Sequence, residues 1–113
     1  MMIPDFGTVV FAAIPFSNQH EIKMRPAVAV SSKRVHASYG DIILLSITSQ
    51  LDMDLPFTDL RIVEWQQAGL PKPSAFKPAL VTLEPIKISH VFGKLSESDS
   101  QRLKKLLTEM LVL

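Results

Sequence analysis

Short apolar runs separated by Pro, Gly, Asn and Asp occupy the first three-quarters of this 113-residue chain. The runs are rich in β-branched and aromatic residues, which favour strands, whereas the separating residues favour turns. This pattern predicts a mainly β structure, a small barrel or sandwich. The predicted strands span residues 7–15, 26–31, 41–48, 58–63, 74–78, 80–83 and 86–93.

One of these strands and a segment between two others predict further detail. The run from Asp41 to Thr48 is almost continuously apolar, so we expect this third strand to be covered on both faces. The segment 64–69 ends in glycine and predicts a single helical turn. The next residues, 70–73, contain two prolines and are expected to be extended.

The C-terminal segment predicts an α-helix from about Glu97 to Leu111. Ser96 followed by Asp99 has the spacing of a capping box, with Asp in place of Glu or Gln, and acids suit the positive end of the helix dipole. Apolar residues then recur at helical spacing and predict one buried stripe. The stripe comprises Leu103, Leu106, Leu107, Met110 and Leu111, opposite Arg102, Lys105 and Glu109.

Length and composition indicate a single domain, 1–113. Apolar residues make up 47% of the chain and charged residues 20%, which is too hydrophobic for a disordered chain. So much apolar composition in a small domain predicts apolar surface for a partner, and we expect a homodimer whose interface includes part of the C-terminal helix or the apolar third strand. The formal net charge of +1 argues against a general nucleic-acid binder, so any site for a polyanion must be local.

Other sequence features narrow the class of protein. The chain has no cysteine, which excludes disulfides, thiolate metal sites and a cysteine nucleophile. Asp5 stands where a signal peptide carries basic residues, and no apolar run reaches the roughly 18–20 residues that span a bilayer. We therefore expect a cytoplasmic protein with no membrane contact. The three histidines lack the spacing of metal ligands, and we predict no metal.

Two short polar groups at strand ends are candidates for binding phosphate. Arg25 precedes Pro26 at the start of an apolar strand, where its planar guanidinium can contact a phosphate at two points. The alternative is a surface arginine that pairs with Glu21 or Asp54. Thr48, Ser49 and Gln50 end the third strand, and their side chains and backbone N–H groups can donate to phosphate oxygens; the alternative is an ordinary strand-ending turn.

A histidine–carboxylate pair is the candidate for proton transfer. His20 and Glu21 are sequence neighbours in the loop after the first strand, and histidine is the usual residue for moving protons near neutral pH. A solvated loop pair with no chemical role is the alternative. Phe57 and Trp65 can stack on bases, although packing in the core or in a dimer interface is the simpler interpretation.

An ordered set of short strings gives the chain a resemblance to a known family. These strings are Gly7-Thr8-Val9-Val10, Arg25-Pro26-Ala27-Val28, Ile47-Thr48-Ser49-Gln50, Gly69-Leu70-Pro71-Lys72-Pro73-Ser74, Thr82-Leu83 and Phe92-Gly93-Lys94-Leu95-Ser96. In this order the chain resembles, from end to end, the MazF/PemK toxin ribonucleases of bacterial toxin–antitoxin pairs.

The resemblance implies an SH3-like small β-barrel with a C-terminal α-helix, and a homodimer bound by a cognate antitoxin. It implies sequence-specific, metal-independent cleavage of single-stranded RNA, in which a ribose 2′-OH attacks the adjacent phosphate and leaves 2′,3′-cyclic phosphate and 5′-OH ends. It also implies no cofactor, because the nucleophile belongs to the substrate. Arg25 and Thr48 become the leading catalytic candidates. The expected RNA-binding residues are Lys23, Ser49, Gln50 and Lys77.

The chain departs from the family pattern at two positions. Thr8 follows the first glycine where relatives commonly have an acid, and Ala79 follows Lys77-Pro78 where some relatives carry one. His20 and Glu21 are therefore the alternative candidates for the general base. Two other functions remain as hypotheses: a non-enzymatic toxin that binds a protein target, as the fold-related CcdB gyrase poisons do, and a catalytically inactive relative that binds only antitoxin.

Overall fold

A computed structural model of the chain describes residues 3–15, 21–51 and 60–113. Five strands and two α-helices make up its regular structure, with a short 3₁₀ helix between the last two strands. In chain order they are β1 (Thr8–Pro15), β2 (Ile22–Ala29), α1 (Lys33–Tyr39), β3 (Ile42–Thr48), β4 (Ala75–Leu83), the 3₁₀ helix (Pro85–Lys87), β5 (Ile88–Lys94) and α2 (Glu97–Leu111).

The strands form one antiparallel sheet in the order β4-β3-β2-β1-β5. The outermost strands, β4 and β5, are joined by the 3₁₀ helix Pro85–Lys87 alone. In a flat sheet of five strands, the two edge strands would be four strand spacings of about 4.8 Å apart. A link this short barely covers that distance, so the sheet must curl to bring its edges together. Leu83 of β4 and Ile88 of β5 indeed pack against the same apolar cluster. The result is the mainly β fold expected from the sequence, a curled sheet with a C-terminal helix.

Both faces of the sheet are apolar. One face, which we call the helix face, packs against α2 and includes Val9, Val28 and Leu45 together with Leu103 of the helix. The other, the reverse face, includes Val10, Ala27 and Leu44. Because β3 contributes to both clusters, the prediction that this strand is covered on both faces is confirmed.

Helix α2 has the bounds that its apolar periodicity predicts. Leu103 and Leu106 are buried, and Leu107 and Met110 pack against the helix-face cluster. Leu111 is 47% exposed, so its inclusion in the buried stripe was wrong. Its side chain comes one turn after Leu107, where the helix ends and the core has already been covered.

The start of α2 uses its two capping residues differently from a capping box. Ser96 Oγ accepts a hydrogen bond from Asp99 N, as expected of an N-cap. The Asp99 carboxylate is fully buried and instead accepts from the backbone N–H groups of Val63 (3.1 Å) and Glu64 (2.8 Å). Arg102 Nη1 lies 3.8 Å from the same carboxylate. Asp99 therefore joins α2 to the segment that begins at Val63.

That segment is the predicted helical turn, and glycine closes it. Gly69 N donates to Gln66 O and Leu70 N to Trp65 O, the paired bonds of a Schellman motif, with Gly69 at φ +82°. Trp65 packs against the helix-face cluster, in agreement with core packing. A Cβ on Gly93 would lie 2.6 Å from Ala68 O, so the turn and β5 touch backbone to backbone.

Several predicted boundaries were wrong. Strand β2 covers Ile22–Ala29 rather than 26–31, because pairing with β1 carries it beyond Pro26. The two predicted strands 74–78 and 80–83 are the single strand β4, in which Pro78 lies at a bulge where no ladder N–H is required. Strand β5 starts two residues later than predicted, after the 3₁₀ helix.

Two further segments also differ from prediction. Of the predicted strand 58–63, residues 58 and 59 lie outside the described residues. The remainder makes an isolated bridge between Arg61 and Ala75, because the chain turns at Val63. Helix α1 was not predicted; it ends at Gly40, which has φ +79°. Within the described ranges, no helix is long and apolar enough to cross a membrane.

Candidate active site

Strand alternation places the leading candidates on one face of the sheet. The reverse face holds Ala27 of β2 and Leu44 of β3, so Arg25, two residues before Ala27, and Thr48, four residues after Leu44, lie on the same face. Ala27 pairs with Ser46 at the end of the β2–β3 ladder. Arg25 and Thr48 each lie two residues beyond this last pair, on the two neighbouring strands. The two strings singled out in the sequence thus lie at the same end of adjacent strands.

Lys77 reaches this face from β4. Phe76, the residue before Lys77, packs in the helix-face cluster, so strand alternation turns Lys77 toward the reverse face, the face of Val81 and Leu83. A bulge sets residues 77–79 of β4 opposite Ser46 alone. Bulges re-aim side chains and are common beside active sites. Lys77 is exposed and adds a second positive charge near Thr48.

The Thr48 hydroxyl is held by the turn that follows it. Its Oγ1 accepts a hydrogen bond from Gln50 N at 3.1 Å, and Leu51 N donates to Ser49 O. The expected turn is therefore present. With one lone pair of Oγ1 occupied, the hydroxyl proton remains able to donate to a ligand. Thr48 is half-buried, whereas Ser49 and Gln50 are exposed.

Arg25 is exposed and sits beside an apolar floor. It pairs in the β1–β2 ladder with Ala12, which is fully buried. Arg25 Nη1 lies 3.4 Å from Met24 O. Glu21, one of the two expected acidic partners, forms an ion pair with Lys23, whose Nζ lies 3.7 Å from Glu21 Oε2. The other expected partner, Asp54, lies outside the described residues.

The candidates for the general base are only partly described. His20 lies outside the described residues, as does Phe57. Glu21 is exposed and directly precedes β2. The described residues hold no group of three or more His, Asp or Glu side chains able to bind a metal ion.

The sequence analysis missed Ser46. This residue lies on the reverse face, pairs with Ala27 and precedes Thr48 by two residues, so its hydroxyl belongs to the same face as Arg25 and Thr48. A lone polar residue inside the apolar run 41–48 is the signal that could have identified it. The site thus combines one guanidinium, one ammonium and two hydroxyls. Such a set of donors suits a phosphate carrying extra negative charge.

Comparison with known proteins assigns the family. A family model described as a PemK-like, MazF-like toxin of type II toxin–antitoxin systems matches residues 5–111. The chain belongs to this toxin family. No curated protein matched the sequence.

Solved structures agree on the fold at low sequence identity. The chain matches a mycobacterial endoribonuclease in complex with its cognate antitoxin at TM-score 0.68 and 13% identity, covering 100% of this chain and 97% of the other. It matches Mycobacterium tuberculosis toxin MazF-mt6 at TM-score 0.70 and 17% identity, covering 94% of this chain and 97% of the other. It matches a MazE–MazF structure from Deinococcus radiodurans at TM-score 0.72 and 14% identity, with 99% of each chain covered. The sheet and C-terminal helix described above are therefore those of the MazF fold.

Proposed function

We propose that this MazF-like toxin is an endoribonuclease that cleaves single-stranded RNA at a short preferred sequence, without a metal ion or cofactor, and that a cognate antitoxin neutralises it. The observation that carries the proposal is the shared position of Arg25, Thr48 and Lys77 on the reverse face of the sheet. Membership of the toxin family and structural similarity to proteins named endoribonucleases support it.

The reaction uses a nucleophile that belongs to the substrate. The ribose 2′-oxygen bonds to the adjacent phosphorus while the bond from phosphorus to the 5′-oxygen breaks, which leaves a 2′,3′-cyclic phosphate and a 5′-OH end. A base takes the 2′-OH proton, and the departing 5′-oxygen gains one. Because the RNA itself provides the nucleophile, no metal-bound water is needed.

The chain's side chains stabilise the negative charge that develops on the phosphate oxygens. The pentacoordinate phosphorane carries more negative charge than the starting diester. Fixed hydrogen-bond donors therefore lower the free energy of the phosphorane more than that of the diester. Arg25 donates through its guanidinium fork and Thr48 through the O–H left available by the bond from Gln50 N. Arginine keeps its charge at neutral pH, so Arg25 acts as a donor of hydrogen bonds rather than as the base. His20 and Glu21 are the two candidates for that base.

RNA cleavage by Arg25 variants tests the proposal. The purified protein is incubated in EDTA with a mixed-sequence RNA, and the product ends are mapped. The native chain should leave 2′,3′-cyclic phosphate ends, and a 2′-deoxy ribose at the cut position should prevent cleavage. Arg25→Ala should lower kcat by roughly 10²–10³, the usual cost of one positioned donor. Arg25→Lys should also be poor, since a point charge lacks the fork.

Arg34→Ala is the matched control, because Arg34 is exposed on α1, away from the reverse-face candidates, and should cleave at the native rate. If Arg25→Ala cleaves within about threefold of the native rate, the site assignment is wrong. If the native chain requires a divalent metal, or cuts the deoxy substrate, the proposed reaction is wrong. A protein that cuts no RNA but still binds antitoxin would be a toxin with a protein target or an inactive relative.

A further inference from the structure

The exposed half of strand β2 has two chemically different sides. Side chains alternate along the strand, so Lys23 and Arg25 lie on the reverse face, whereas Ile22 (65% exposed) and Met24 (38% exposed) lie on the helix face. Residues two apart on a strand are about 6.8 Å apart along it. That separation is close to the spacing of consecutive phosphates in an extended single strand. The two cations therefore form a short charged row along β2.

The surroundings of this row favour an anionic ligand. The cross-strand neighbours of Lys23 and Arg25 are Ile14 and Ala12 of β1, which are both buried, so the two cations lie next to apolar residues. Neither β1 nor β2 contains an acidic residue. Glu21, immediately before β2, contacts this row through its ion pair with Lys23.

That ion pair is suited to exchange. The Lys23 and Glu21 side chains are 50% and 58% exposed, and their charged atoms are 3.7 Å apart. Exposed pairs of this kind contribute little to stability because water and salt screen them. A phosphate can therefore replace the Glu21 carboxylate at Lys23, while the nearby carboxylate continues to repel it.

We propose that single-stranded RNA runs along β2, with consecutive phosphates on Arg25 and Lys23, and that Glu21 weakens this binding by competing for Lys23. This inference rests on the proposed function for the choice of RNA as the ligand. It adds the path of the RNA backbone, the order of its contacts, and a role for Glu21 as an internal competitor of the substrate.

Salt-dependent binding to an uncleavable strand tests the path. The probe is a short, mixed-sequence 2′-O-methyl oligoribonucleotide, which lacks the attacking hydroxyl, and its Kd is measured by fluorescence anisotropy over a series of salt concentrations. Each phosphate contact on a single strand contributes about 0.7 to the slope of log K against log salt. Lys23→Gln should lower the slope by about 0.7 and weaken binding severalfold. Arg25→Gln should lower it by a similar amount.

The double variant distinguishes two phosphates from one. If Lys23 and Arg25 contact consecutive phosphates, the two slope losses should add, giving about 1.4. If both side chains contact one phosphate, the double variant should lose only about 0.7, and the proposed path is wrong. Lys105→Gln, on the exposed side of α2 and of equal charge, is the control and should leave the slope unchanged.

Glu21→Gln should move binding in the opposite direction. Removing the carboxylate ends both the competition for Lys23 and the repulsion of phosphate, so the Kd should fall severalfold while the slope stays at or above the native value. Unchanged or weaker binding by Glu21→Gln contradicts the competitor role, and failure of the native chain to bind the probe contradicts the whole inference. Native binding with the expected slopes but no cleavage of ordinary RNA would instead contradict the proposed reaction and leave the binding path standing.

Discussion

At the scale of single residues, removing the Thr48 hydroxyl tests whether this residue has a catalytic role or only a structural one. Thr48→Val keeps the shape and β-branching of the side chain but removes the oxygen that accepts from Gln50 N and is proposed to donate to the phosphate. We expect kcat for RNA cleavage to fall by roughly 10²-fold or more, and the loss of one exposed hydrogen bond to cost about 1 kcal/mol of stability at most. Cleavage rates and thermal unfolding of the same samples provide the measurement.

Thr82→Val is the control for this substitution. Thr82 is an exposed threonine on β4, outside the site, and its replacement should leave both cleavage and stability near native values. If Thr48→Val unfolds while its folded fraction cuts at the native rate, then Thr48 is a turn residue and not a catalytic one.

A second single-residue prediction concerns stability rather than activity. Asp99 is fully buried and its carboxylate holds two backbone N–H groups of the 63–64 segment. Asp99→Ala should lower the free energy of unfolding by about 3 kcal/mol or more, since hydrogen bonds to charged groups contribute about 1.5–3 kcal/mol each. Asp99→Asn should lose less, because its carbonyl still accepts. Glu109→Ala, exposed on the same helix, should change stability by less than about 0.5 kcal/mol in denaturant unfolding.

At the scale of elements, the sequence predicted most where the apolar pattern of an element matches its burial. Helix α2 followed from apolar residues at helical spacing, and strands β1 and β3 followed from apolar runs buried on both faces, because local pattern and tertiary packing agree there. The extension of β2 into Ile22–Arg25 could not be read from the sequence, because pairing with β1 decides it. The double role of Asp99 was equally hidden, since its partners lie 35 and 36 residues earlier in the chain.

The candidate site was predictable in part for the same reason. Arg25 and Thr48 each stand at the end of a recognisable apolar run, so sequence and family resemblance identified them together. Their meeting on one face depends on the register of β2 against β3, which no local pattern fixes. Ser46 was missed because its position at a bulge is a property of the ladder with β4.

The contact between the 64–69 turn and β5 gives a prediction at the element scale. Gly69→Ala forces a residue with a Cβ into the left-handed backbone conformation at φ +82°, and it also brings that Cβ into a clash with the Phe92 carbonyl. We expect it to cost about 1–3 kcal/mol more than the backbone term alone. Gly40→Ala isolates that term, because Gly40 has φ +79° but nothing within 4 Å of an added Cβ, so about 1–2 kcal/mol is expected. Equal losses for the two variants in denaturant unfolding would mean that the turn and β5 do not touch as described.

At the scale of the whole molecule, the proposed homodimer can be placed more narrowly than from sequence. The sequence suggested an interface on the C-terminal helix or on the third strand. Strand β3 lies inside the sheet, between β4 and β2, and both its faces contribute to apolar clusters, so it offers no free apolar face to a partner. The end of α2 leaves Leu111, Val112 and Leu113 between 47% and 89% exposed. We therefore expect the end of α2 to take part in the dimer.

Light scattering of a charged variant tests this expectation. The native chain should be a dimer at micromolar concentration, and Leu111→Glu should shift it toward monomer without unfolding it. Ile86→Glu, which adds the same charge at a 74% exposed apolar residue between β4 and β5, should remain dimeric. A native monomer with full cleavage activity would contradict the proposed dimer, and a dimeric Leu111→Glu would exclude this part of the helix from its interface.

The order of strands in the sheet has a consequence for the moment at which this toxin becomes active during its own synthesis. Strand β1 is the first to emerge from the ribosome, yet its outer neighbour is β5, and Thr8 pairs with Lys94. Until the last quarter of the chain has been made, β1 exposes an unpaired edge and the curled sheet cannot close. A nascent or truncated chain that lacks β5 therefore lacks the native fold. The proposed nuclease therefore cannot act on RNA before the ribosome has passed Lys94 and β5 has paired with β1.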